Sequence, residues 1–461
     1  MWPLLWFPLC EAQPTLLPRF AHAVPGVRTR RFLVILSAFV TVMIVVSIAL
    51  PGETIARSLR FSVPVFIGYR GGDDWEPDIA ADTDGHVYVA WAHYGGVPGC
   101  DTCSNPAAMI EVSTDGGMHW SDPRPLNPHP LGGVSSFQVD LQVKVNGDGT
   151  VFAAYLDGKD TVVQRSDDFG ATFGDPIPVN AGLGGATDKV GLAVKGEDVY
   201  VSFDIVHRFF VAVSHDGGRT FTSTQMHVKG EQDAFTLTSG GVIDSAGTVY
   251  FTWVSVHQHG ARLTPQDLFL TKSSDGGATW STIWLETGLP EGPNCDAYSC
   301  GWDYLGPQVV VAVDTADRLY VAYNAGTVEF GPPTVWFRTS GDGGASWTRR
   351  VAIPNAGAGT TEVFPAIVGG RAGTVSLSWQ DNRTGRFNTW FRGSTDGGRS
   401  WSAEVQVSQF ISGFGYKTAK GYTFTYGDYY GIAWDGSHVH IAWGEGPDYI
   451  GPGNVWYATS T

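Results

Sequence analysis

The chain has little positive charge, few cysteines and only one long hydrophobic run. Lysine and arginine number 29 against 45 aspartates and glutamates, which gives a formal net charge of -16. Because such an acidic chain is poorly suited to nucleic acids or anionic membrane surfaces, we expect neither as a partner. No low-complexity linker and no separate catalytic domain is recognisable. The 60 glycines and 17 tryptophans are instead typical of many short strands joined by tight turns.

The hydrophobic run, FLVILSAFVTVMIVVSIAL at residues 32–50, follows Arg28, Arg30 and Arg31. It is long enough to cross a bilayer, and its basic flank predicts that everything after it is exported. Small residues at 47–49 and 54–56 suit a signal peptidase, so a cleaved signal peptide and a retained membrane anchor both stay open. A buried helix of the fold is less favoured because the run lies outside the repeats. We predict a leader over residues 1–56 and an extracytoplasmic domain over 57–461.

Only four of the five cysteines lie beyond the leader, and they form two close pairs. Cys100 and Cys103 are one pair, and Cys295 and Cys300 are the other. An even number of cysteines in an exported chain predicts two local disulfides. A zinc site built from all four thiolates is the alternative, since the CxxC spacing suits zinc.

An eight-residue motif, S-x-D-x-G-x-x-[W/F], occurs six times. The copies begin at residues 113, 166, 214, 273, 340 and 394. A period of roughly fifty residues fits one four-stranded propeller blade per repeat. The aspartate can accept backbone N–H bonds across a tight turn, the glycine allows a positive φ, and the aromatic ring can pack beneath. We therefore assign the motif a structural role.

Seven strand–turn–strand patterns accompany the six motifs. They begin at residues 78, 140, 192, 241, 309, 366 and 431. Alternating apolar residues bounded by D-G, A-G and N-G turns predict hairpins. The seventh repeat ends before its motif, and residues 59–67 resemble the strand that would follow it. We predict an all-β propeller of seven blades, with six as the alternative, whose last blade is closed by an amino-terminal strand.

Acidic residues recur where the innermost strands are predicted to begin. Most precede a glycine or proline by three positions: Asp74, Asp188, Asp303, Glu362 and Asp428, with Asp233 as a looser match. We expect them to line the mouth of the central channel. There they would bind Ca2+, for which Asp233 and Glu362 are assigned, or supply the acid and base of glycosidic chemistry. The alternative is that each carboxylate caps its own turn. Apart from the zinc alternative, calcium is the one metal ion or cofactor that the sequence suggests.

Further polar and aromatic residues are predicted to face the same side. Those assigned to substrate binding are Arg70, His93, His257, Arg262, Arg383, Arg386, Tyr416 and Glu445, and those added to the catalytic candidates are Tyr426 and Tyr429. Aromatic rings among acids and guanidinium groups suit sugars, whose faces stack on rings and whose hydroxyls need dense hydrogen bonding.

The repeated motif resembles the Asp-box, or BNR repeat, of the sialidase-like β-propeller superfamily, over about residues 57–461. The resemblance implies three arginines that hold a substrate carboxylate, a tyrosine nucleophile with a glutamate partner, and an aspartate acid/base. Residues 69–72, Tyr-Arg-Gly-Gly, are the nearest match to the family's Phe/Tyr-Arg-Ile-Pro motif and lack its Ile-Pro. Seven hairpins also depart from the six blades of sialidases.

This resemblance and the acidic ring together predict an exported, carbohydrate-active protein. The leading hypothesis is a sialidase-like glycoside hydrolase that acts on an anionic glycan at the channel mouth. A non-catalytic propeller that binds a glycan or a protein is the second hypothesis, and a polysaccharide lyase is the third. We expect a monomer whose ligand is a glycan or another small molecule.

Overall fold

The structure is a computed structural model that describes residues 59–205, 208–227, 234–259, 262–289, 307–329, 331–408, 417–418, 421–422, 427–445 and 453–461. The predicted leader and its hydrophobic run lie outside these ranges. Every regular element in the described ranges is a β-strand. Accordingly, no described helix has the length and apolar character needed to span a membrane.

The first three blades are four-stranded antiparallel sheets with strands in chain order from the channel outwards. Blade 1 contains β2 (Asp73–Ala81), β3 (Val87–Tyr94), β4 (Ala107–Ser113) and β5 (Arg124–Pro125). Blade 2 contains β6 (Gln138–Val145), β7 (Val151–Asp157), β8 (Asp160–Ser166) and β9 (Ile177–Pro178). Blade 3 contains β10 (Asp188–Lys195), β11 (Asp198–Ile205), β12 (Arg208–Ser214) and β13 (Thr222–Gln225).

The next three blades repeat this order, and blade 4 carries one extra strand. Blade 4 contains β14 (Ala234–Ile243), β15 (Val249–His259), β17 (Gln266–Ser273) and β18 (Ser281–Gly288), and β16 (Arg262–Leu263) pairs with β15. Blade 5 contains β19 (Val309–Val313), β20 (Leu319–Gly326), β21 (Pro333–Ser340) and β22 (Val351–Ala352). Blade 6 contains β23 (Glu362–Gly369), β24 (Val375–Asp381), β25 (Asn388–Ser394) and β26 (Val405–Gln406).

Blade 7 joins the two ends of the described chain. Its strands from the channel outwards are β29 (Gly431–Trp434), β30 (Val439–Glu445), β31 (Asn454–Thr459) and β1 (Val65–Ile67). The outermost strand β1 is antiparallel to β31, with Phe66 opposite Trp456. A separate two-stranded ribbon is formed by β27 (Lys417–Thr418) and β28 (Gly421–Tyr422).

The innermost strands form a closed ring. The strands β2, β6, β10, β14, β19, β23 and β29 contact one another in this order, and β29 also contacts β2. The described residues therefore form a seven-bladed propeller, which confirms the blade number predicted from the hairpin count.

Among the described residues, the core consists of seven apolar clusters, each between two neighbouring blades. Between blades 1 and 2, for example, Tyr88 packs with Leu141 and Tyr155, and all three are fully buried. Because successive side chains of a strand point to opposite faces of its sheet, each sheet carries apolar residues on both faces. Both faces are covered only by the adjacent blades. No blade therefore has a core of its own.

Buried tryptophans on the second strands of three blades donate to buried carboxylates. The pairs are Trp91 Nε1 to Asp74 Oδ1 at 2.7 Å, Trp379 Nε1 to Asp381 Oδ2 at 2.8 Å, and Trp443 Nε1 to Glu445 Oε2 at 2.9 Å. Each bond satisfies an indole N–H and a carboxylate that would be costly to bury alone.

Each repeated motif holds the turn between the third and outermost strands. In blade 5, the Ser340 hydroxyl donates to Asp342 at 2.7 Å and accepts the Gly344 N–H at 2.9 Å. Asp342 also accepts the Ser346 N–H at 2.9 Å, and the Trp347 indole donates to the Gly344 carbonyl at 3.1 Å. The Ser346 hydroxyl also donates to Asp342, and the hydrogen bonds from Ser346 and Ser340 together lower the Asp342 pKa to about 2. The motif is thus a turn device, as its residue types predicted.

The motif turns lie at the end of each sheet where the innermost strand finishes. The Gly116 N–H donates to the Gly85 carbonyl at 2.8 Å, and the Gly397 N–H donates to the Gly373 carbonyl at 2.7 Å. Both acceptors belong to the turn between the first and second strands. The innermost strands begin at the opposite face, which we call the mouth face.

Removal of one motif hydroxyl tests this role. We expect Ser340→Ala to lower the free energy of unfolding by about 1–2 kcal/mol, because Gly344 and Asp342 both lose a partner. Urea denaturation measures the loss. The control Ser437→Ala, at an exposed position, should change stability by less than about 0.5 kcal/mol. Equal losses in the two variants would contradict the role of the motif.

Candidate functional site

The channel mouth forms where innermost strands carry β-bulges. Register shifts interrupt β2, β6, β10 and β23 close to their starts and β14 near its middle. At three consecutive blades a residue adopts a positive φ: Glu76 at 54°, Asp140 at 56° and Lys189 at 47°. Such conformations cost about 1–2 kcal/mol per non-glycine residue and are concentrated at functional sites. A bulge also re-aims a side chain, and here the three side chains converge.

The Lys189 ammonium is the centre of this convergence. Its Nζ lies 3.0 Å from Asp428 Oδ1 and 3.1 Å from Asp140 Oδ1, and 3.9 Å from Glu76 Oε1. The lysine side chain is 14% exposed, and the three carboxylates are 7–8% exposed. One cation from blade 3 therefore contacts carboxylates from blades 1, 2 and 7.

Asp188 and Tyr429 complete this group. The Asp188 carboxylate accepts the Lys189 backbone N–H at 3.0 Å. The Tyr429 ring centroid lies 5.5 Å from Lys189 Nζ, within reach of a cation–π interaction. We call Glu76, Asp140, Asp188, Lys189, Asp428 and Tyr429 the Lys189 cluster. Blade 5 supports it from outside, since Gln308 Nε2 donates to the Asp428 carbonyl at 2.5 Å.

Burial and mutual charge separate the protonation states within the cluster. Burial raises the Glu76 pKa well above its usual value, against the lowering effect of Lys189. A hydrogen bond with Asp428 raises the Glu76 pKa further. Burial also raises the Asp188 pKa, to about 6. For Lys189, burial lowers the pKa, but Asp140, Asp428 and Glu76 together hold it well above its ordinary value.

The cluster therefore combines one carboxyl whose pKa is raised, that of Glu76, with two carboxyls, those of Asp140 and Asp428, that contact the Lys189 ammonium. Two titratable groups with such different environments are the usual signature of an acid and its complementary base. The Asp140 and Asp428 oxygens that contact Lys189 Nζ lie within about 6 Å of each other, because their separation cannot exceed the sum of the two contact distances.

Aromatic rings flank these acids at the mouth. Trp75 and Tyr94 have ring centroids 4.5 Å apart. Burial raises the Tyr94 pKa, and the nearby charges of Glu76 and Asp140 raise it further, which places the phenol beside the cluster. Rings and carboxyls thus lie side by side in this part of the channel entrance.

The channel continues below the mouth as a cavity of about 370 Å3, to which all seven innermost strands contribute. Lys189, Asp428 and Tyr429 lie at its upper end. Lower down, Lys144 Nζ is 3.3 Å from Asp78 Oδ2. The cluster therefore separates the mouth from an internal space.

Three predicted catalytic residues, Asp188, Asp428 and Tyr429, come together in the cluster. Glu76, Asp140 and Lys189 were missed by the sequence analysis. The acids were aligned by their distance from the following glycine or proline. Because the bulges within that distance differ in length, this alignment did not match equivalent positions of the strands. Alignment on the aromatic residue that ends the second strand would have placed Glu76 and Asp140 at matching positions.

Asp74 and His93 form a buried brace instead. Asp74 is fully buried, and its Oδ1 accepts hydrogen bonds from Trp91 Nε1 and from His93 Nδ1, both at 2.7 Å. His93 also packs against Tyr69, with ring centroids 5.0 Å apart. These contacts hold the start of β2 to the end of β3.

Glu362 and Glu445 are also fixed by protein groups. Glu362 accepts the Val335 N–H at 3.0 Å, and burial raises its pKa to about 8. Glu445 is fully buried and accepts hydrogen bonds from Asn388 and Trp443, at 2.8 and 2.9 Å, and from Ser408. Burial raises the Glu445 pKa to about 7. Both carboxyls brace neighbouring strands.

The arginines that the structure describes lie outside the cluster. Arg70 lies over the Phe66 ring at 5.1 Å. Arg383 pairs with Asp381 and with Glu404, both at 2.6 Å, and stacks over Trp390 at 3.9 Å. Within the described ranges, every ion pair to the carboxylates of the cluster comes from Lys189.

Two other predicted binding residues have separate positions. Arg386 lies in the loop after β24, where its carbonyl accepts the Thr384 hydroxyl at 3.0 Å. His257 Nε2 lies 3.5 Å from Asp267 Oδ2, on the mouth face of blade 4. The remaining assigned positions lie outside the described residues: Asp233, Cys295, Cys300, Asp303, Tyr416, Tyr426 and the side chain of Arg262.

Cys100 and Cys103 are joined by a disulfide, as predicted for this pair. They are consequently not thiolate ligands of the alternative zinc site. Among the described side chains, no three histidine, cysteine or acidic groups are arranged to hold a metal ion. In the Lys189 cluster, the place between the carboxylates is taken by the ammonium group. Calcium binding through Asp233 and Glu362 remains a prediction.

No protein-family model and no curated protein matches the chain. Solved structures do match it. A protein of unknown function from Dyadobacter fermentans has a TM-score of 0.50 at 15% identity, over 88% of this chain and 99% of its own. A Hadza microbial sialidase has a TM-score of 0.47 at 15% identity, over 84% of this chain and 65% of its own. This chain thus spans slightly less than two thirds of that sialidase.

An ulvan lyase, described as a polysaccharide lyase, has a TM-score of 0.40 at 12% identity, over 85% of this chain and 80% of its own. At these identities the first similarity supports the fold alone. The sialidase and the lyase have TM-scores below 0.5, so they carry no argument about the site. The function must therefore be argued from the residues of this chain.

Removal of the Lys189 ammonium tests the electrostatics of the cluster. We expect Lys189→Met to lower the free energy of unfolding at pH 8 by about 3–5 kcal/mol, because buried carboxylates lose their counter-ion. The loss should shrink at pH 5, where protonation relieves their repulsion. Urea denaturation at the two pH values measures both.

In the wild-type protein, the sign of the contribution that Asp188 makes to the pH dependence of stability follows from its pKa. The Asp188 pKa is raised from 3.8 to about 6. Its stabilising contribution is therefore complete below pH 3.8 and is lost as the pH rises through 6.

Lys144→Met, which removes the ammonium paired with Asp78, is the matched control for Lys189→Met and should lose less stability. A deficit in Lys189→Met that does not change with pH would refute the assignment.

Proposed function

We propose that this chain is a carbohydrate-active β-propeller that hydrolyses glycosidic bonds at the mouth of its central channel. The observation that carries the proposal is the Lys189 cluster. It brings carboxyl groups from blades 1, 2, 3 and 7 around one ammonium group. Paired carboxyls with separated protonation states are the machinery that glycoside hydrolysis needs.

The roles within the cluster follow from its protonation states. Glu76, which shares a hydrogen bond with Asp428, donates its proton to the leaving glycosidic oxygen as the bond to the anomeric carbon breaks. Asp140 attacks that carbon or activates a water molecule. The water supplies the hydroxyl of the new sugar end, and its proton returns to the carboxyl pair. The Lys189 ammonium contacts Asp140 and Asp428 at 3.1 and 3.0 Å and holds both carboxyls in position during this cycle.

The separation of the carboxylates suits this chemistry. Retaining glycosidases hold their two carboxyls about 5–5.5 Å apart, and inverting enzymes hold them about 6.5–9.5 Å apart. Glu76 Oε1 and Asp140 Oδ1 lie 3.9 and 3.1 Å from Lys189 Nζ, so these two oxygens are no more than about 7 Å apart, within the range that the two classes together cover.

The aromatic residues at the mouth supply surfaces for sugar binding. Trp75 and Tyr94 present two neighbouring rings, and Tyr429 lies beside Lys189. The apolar face of a sugar stacks on such rings, while carboxylates such as Asp188 accept hydrogen bonds from its hydroxyls.

The charge of the mouth favours an uncharged glycan. Four acidic side chains surround one ammonium group in the Lys189 cluster, and Arg383 is already engaged by Asp381 and Glu404. A sialidase-like reaction on an anionic sugar needs free guanidinium groups near the carboxyls. We therefore favour a neutral sugar over the anionic one that the family resemblance implies.

The protein is proposed to act outside the cytoplasm. Residues 32–50 are apolar enough to direct export, either as a cleaved signal or as a membrane anchor. The Cys100–Cys103 disulfide is consistent with an oxidising compartment. The domain over residues 57–461 would then face the glycans of the surroundings.

A non-catalytic glycan-binding propeller is the second candidate, and one observation favours it. The acids of the Lys189 cluster are only 7–8% exposed, so access of water to them is narrow. A polysaccharide lyase gains no support here. Its tyrosine base would need a low pKa, and burial raises the pKa of Tyr429 well above its ordinary value.

A glycan panel with two site variants tests the proposal. The probes are laminarin as a neutral polymer, chitosan as a cationic one, and pectin and sialyllactose as anionic ones. We expect the wild type to release reducing ends from a neutral probe. Asp140→Asn and Asp428→Asn should each reduce turnover about 100-fold or more, which is the usual contribution of a catalytic carboxyl.

Asp175→Asn is the matched control, since Asp175 is exposed in blade 2 outside the cluster. It should keep full turnover, and circular dichroism should show that all variants are folded at the assay temperature. Binding of a probe by the wild type without any turnover would replace the hydrolase with the binding propeller. Turnover that survives both cluster substitutions would remove the cluster from catalysis.

A further inference from the structure

A second feature of the mouth face is an exposed tryptophan on blade 4. Trp284 lies on β18 and is 57% exposed. The outermost strand β18 has eight residues, whereas β5, β9, β22 and β26 have two each. Its neighbours Ile283 and Leu285 pack into the core between blades 4 and 5. Trp284 is therefore turned to the other face of its sheet.

The indole is held in place by hydrogen bonding and packing. Its Nε1 donates to Asp267 Oδ1 at 3.1 Å, and the Thr287 hydroxyl donates to the same oxygen at 2.6 Å. His257 Nε2 lies 3.5 Å from the other oxygen of Asp267. Trp284 also pairs across strands with the buried Phe269. A ring fixed in this way loses little conformational entropy when a ligand covers it.

The strand directions place this group on the mouth face. His257 is near the end of β15, Asp267 is at the start of β17, and Thr287 is near the end of β18. All three positions are at the end of the sheet where the innermost strand β14 begins. The group therefore faces the same side of the propeller as the Lys189 cluster, at the outer radius of blade 4.

The composition of the group decides the class of ligand. A docked protein needs a contiguous apolar patch, but the residues beside Trp284 on its strand point into the core. The surroundings of the ring are instead a carboxylate and an imidazole, which are 34% and 33% exposed, and a hydroxyl. One aromatic face with polar groups at its edge suits a sugar ring, which has an apolar C–H face and hydroxyls around it.

We infer that Trp284, with Asp267 and His257, forms an accessory glycan-binding platform on the mouth face. The inference rests on the proposed function, because the platform would hold another part of the same glycan chain. A sugar residue stacks on the exposed indole face. Its hydroxyls exchange hydrogen bonds with Asp267 and His257 while the channel mouth takes the residue to be cleaved.

Affinity electrophoresis tests the platform with the full chain. Native gels containing laminarin, chitosan or pectin separate binding from turnover. We expect Trp284→Ala to bind the retained polymer about tenfold more weakly, which corresponds to the loss of one stacking contact. Trp284→Phe should keep most of the affinity, because it retains an aromatic face.

The controls separate this inference from the proposed function. Val351→Ala truncates an exposed residue on the outermost strand of blade 5 and should bind like the wild type. Turnover of a short oligosaccharide from the same polymer should stay within about twofold in Trp284→Ala, because an accessory contact is distant from the reacting bond.

Each outcome decides a different point. Wild-type affinity in Trp284→Ala overturns the platform and leaves the hydrolase proposal intact. Equal loss of short-substrate turnover overturns the accessory role, because Trp284 would then belong to the catalytic centre. Failure of the wild type to bind any of the three polymers overturns both the platform and the proposed function.

Discussion

Mutual covering of sheet faces is the constraint on which this structure depends. Each blade exposes apolar side chains on both faces, and the seven core clusters lie between blades. A blade beside an open gap would leave one such face in water, at about 25 cal/mol for each Å2 of apolar surface. The ring is stable only when it closes, and blade 7 closes it with strands from both ends of the described chain.

The closed ring makes the Lys189 cluster possible. Three residues with left-handed backbone conformations converge on one point, and only packing on both sides of each blade can hold them there. Burying several carboxyls would be unfavourable without Lys189, whose ammonium contacts three of them. The cluster therefore lowers the local stability of the fold in favour of chemical function, as is common at functional sites. By contrast, Asp74, Glu362 and Glu445 strengthen the frame around it.

The architecture could be predicted from the sequence because its signals are local. A hairpin is recognisable from alternating apolar residues and from its turn residues. Each motif supplies the hydrogen-bond donors and acceptors of its own turn. The site could be predicted only in part. Asp188 and Asp428 were found because acids recur at strand entrances, and Tyr429 was found among the polar and aromatic residues predicted to face the same side. Glu76, Asp140 and Lys189 were missed because a bulge changes which side chain faces the channel, and no local pattern reveals a bulge. The sequence analysis missed Trp284 because the exposure of its side chain depends on the length of the neighbouring outer strands.

The contact between Lys189 and Asp428 joins residues 239 positions apart in the chain. Blade 3 is completed early in synthesis, but the carboxylate that its lysine needs arrives only with the last blade. The chemistry of the mouth is therefore a property of the finished ring, and an incomplete chain carries none of it. Such long-range pairing also predicts slow folding, since most of the chain must be ordered before the two groups meet.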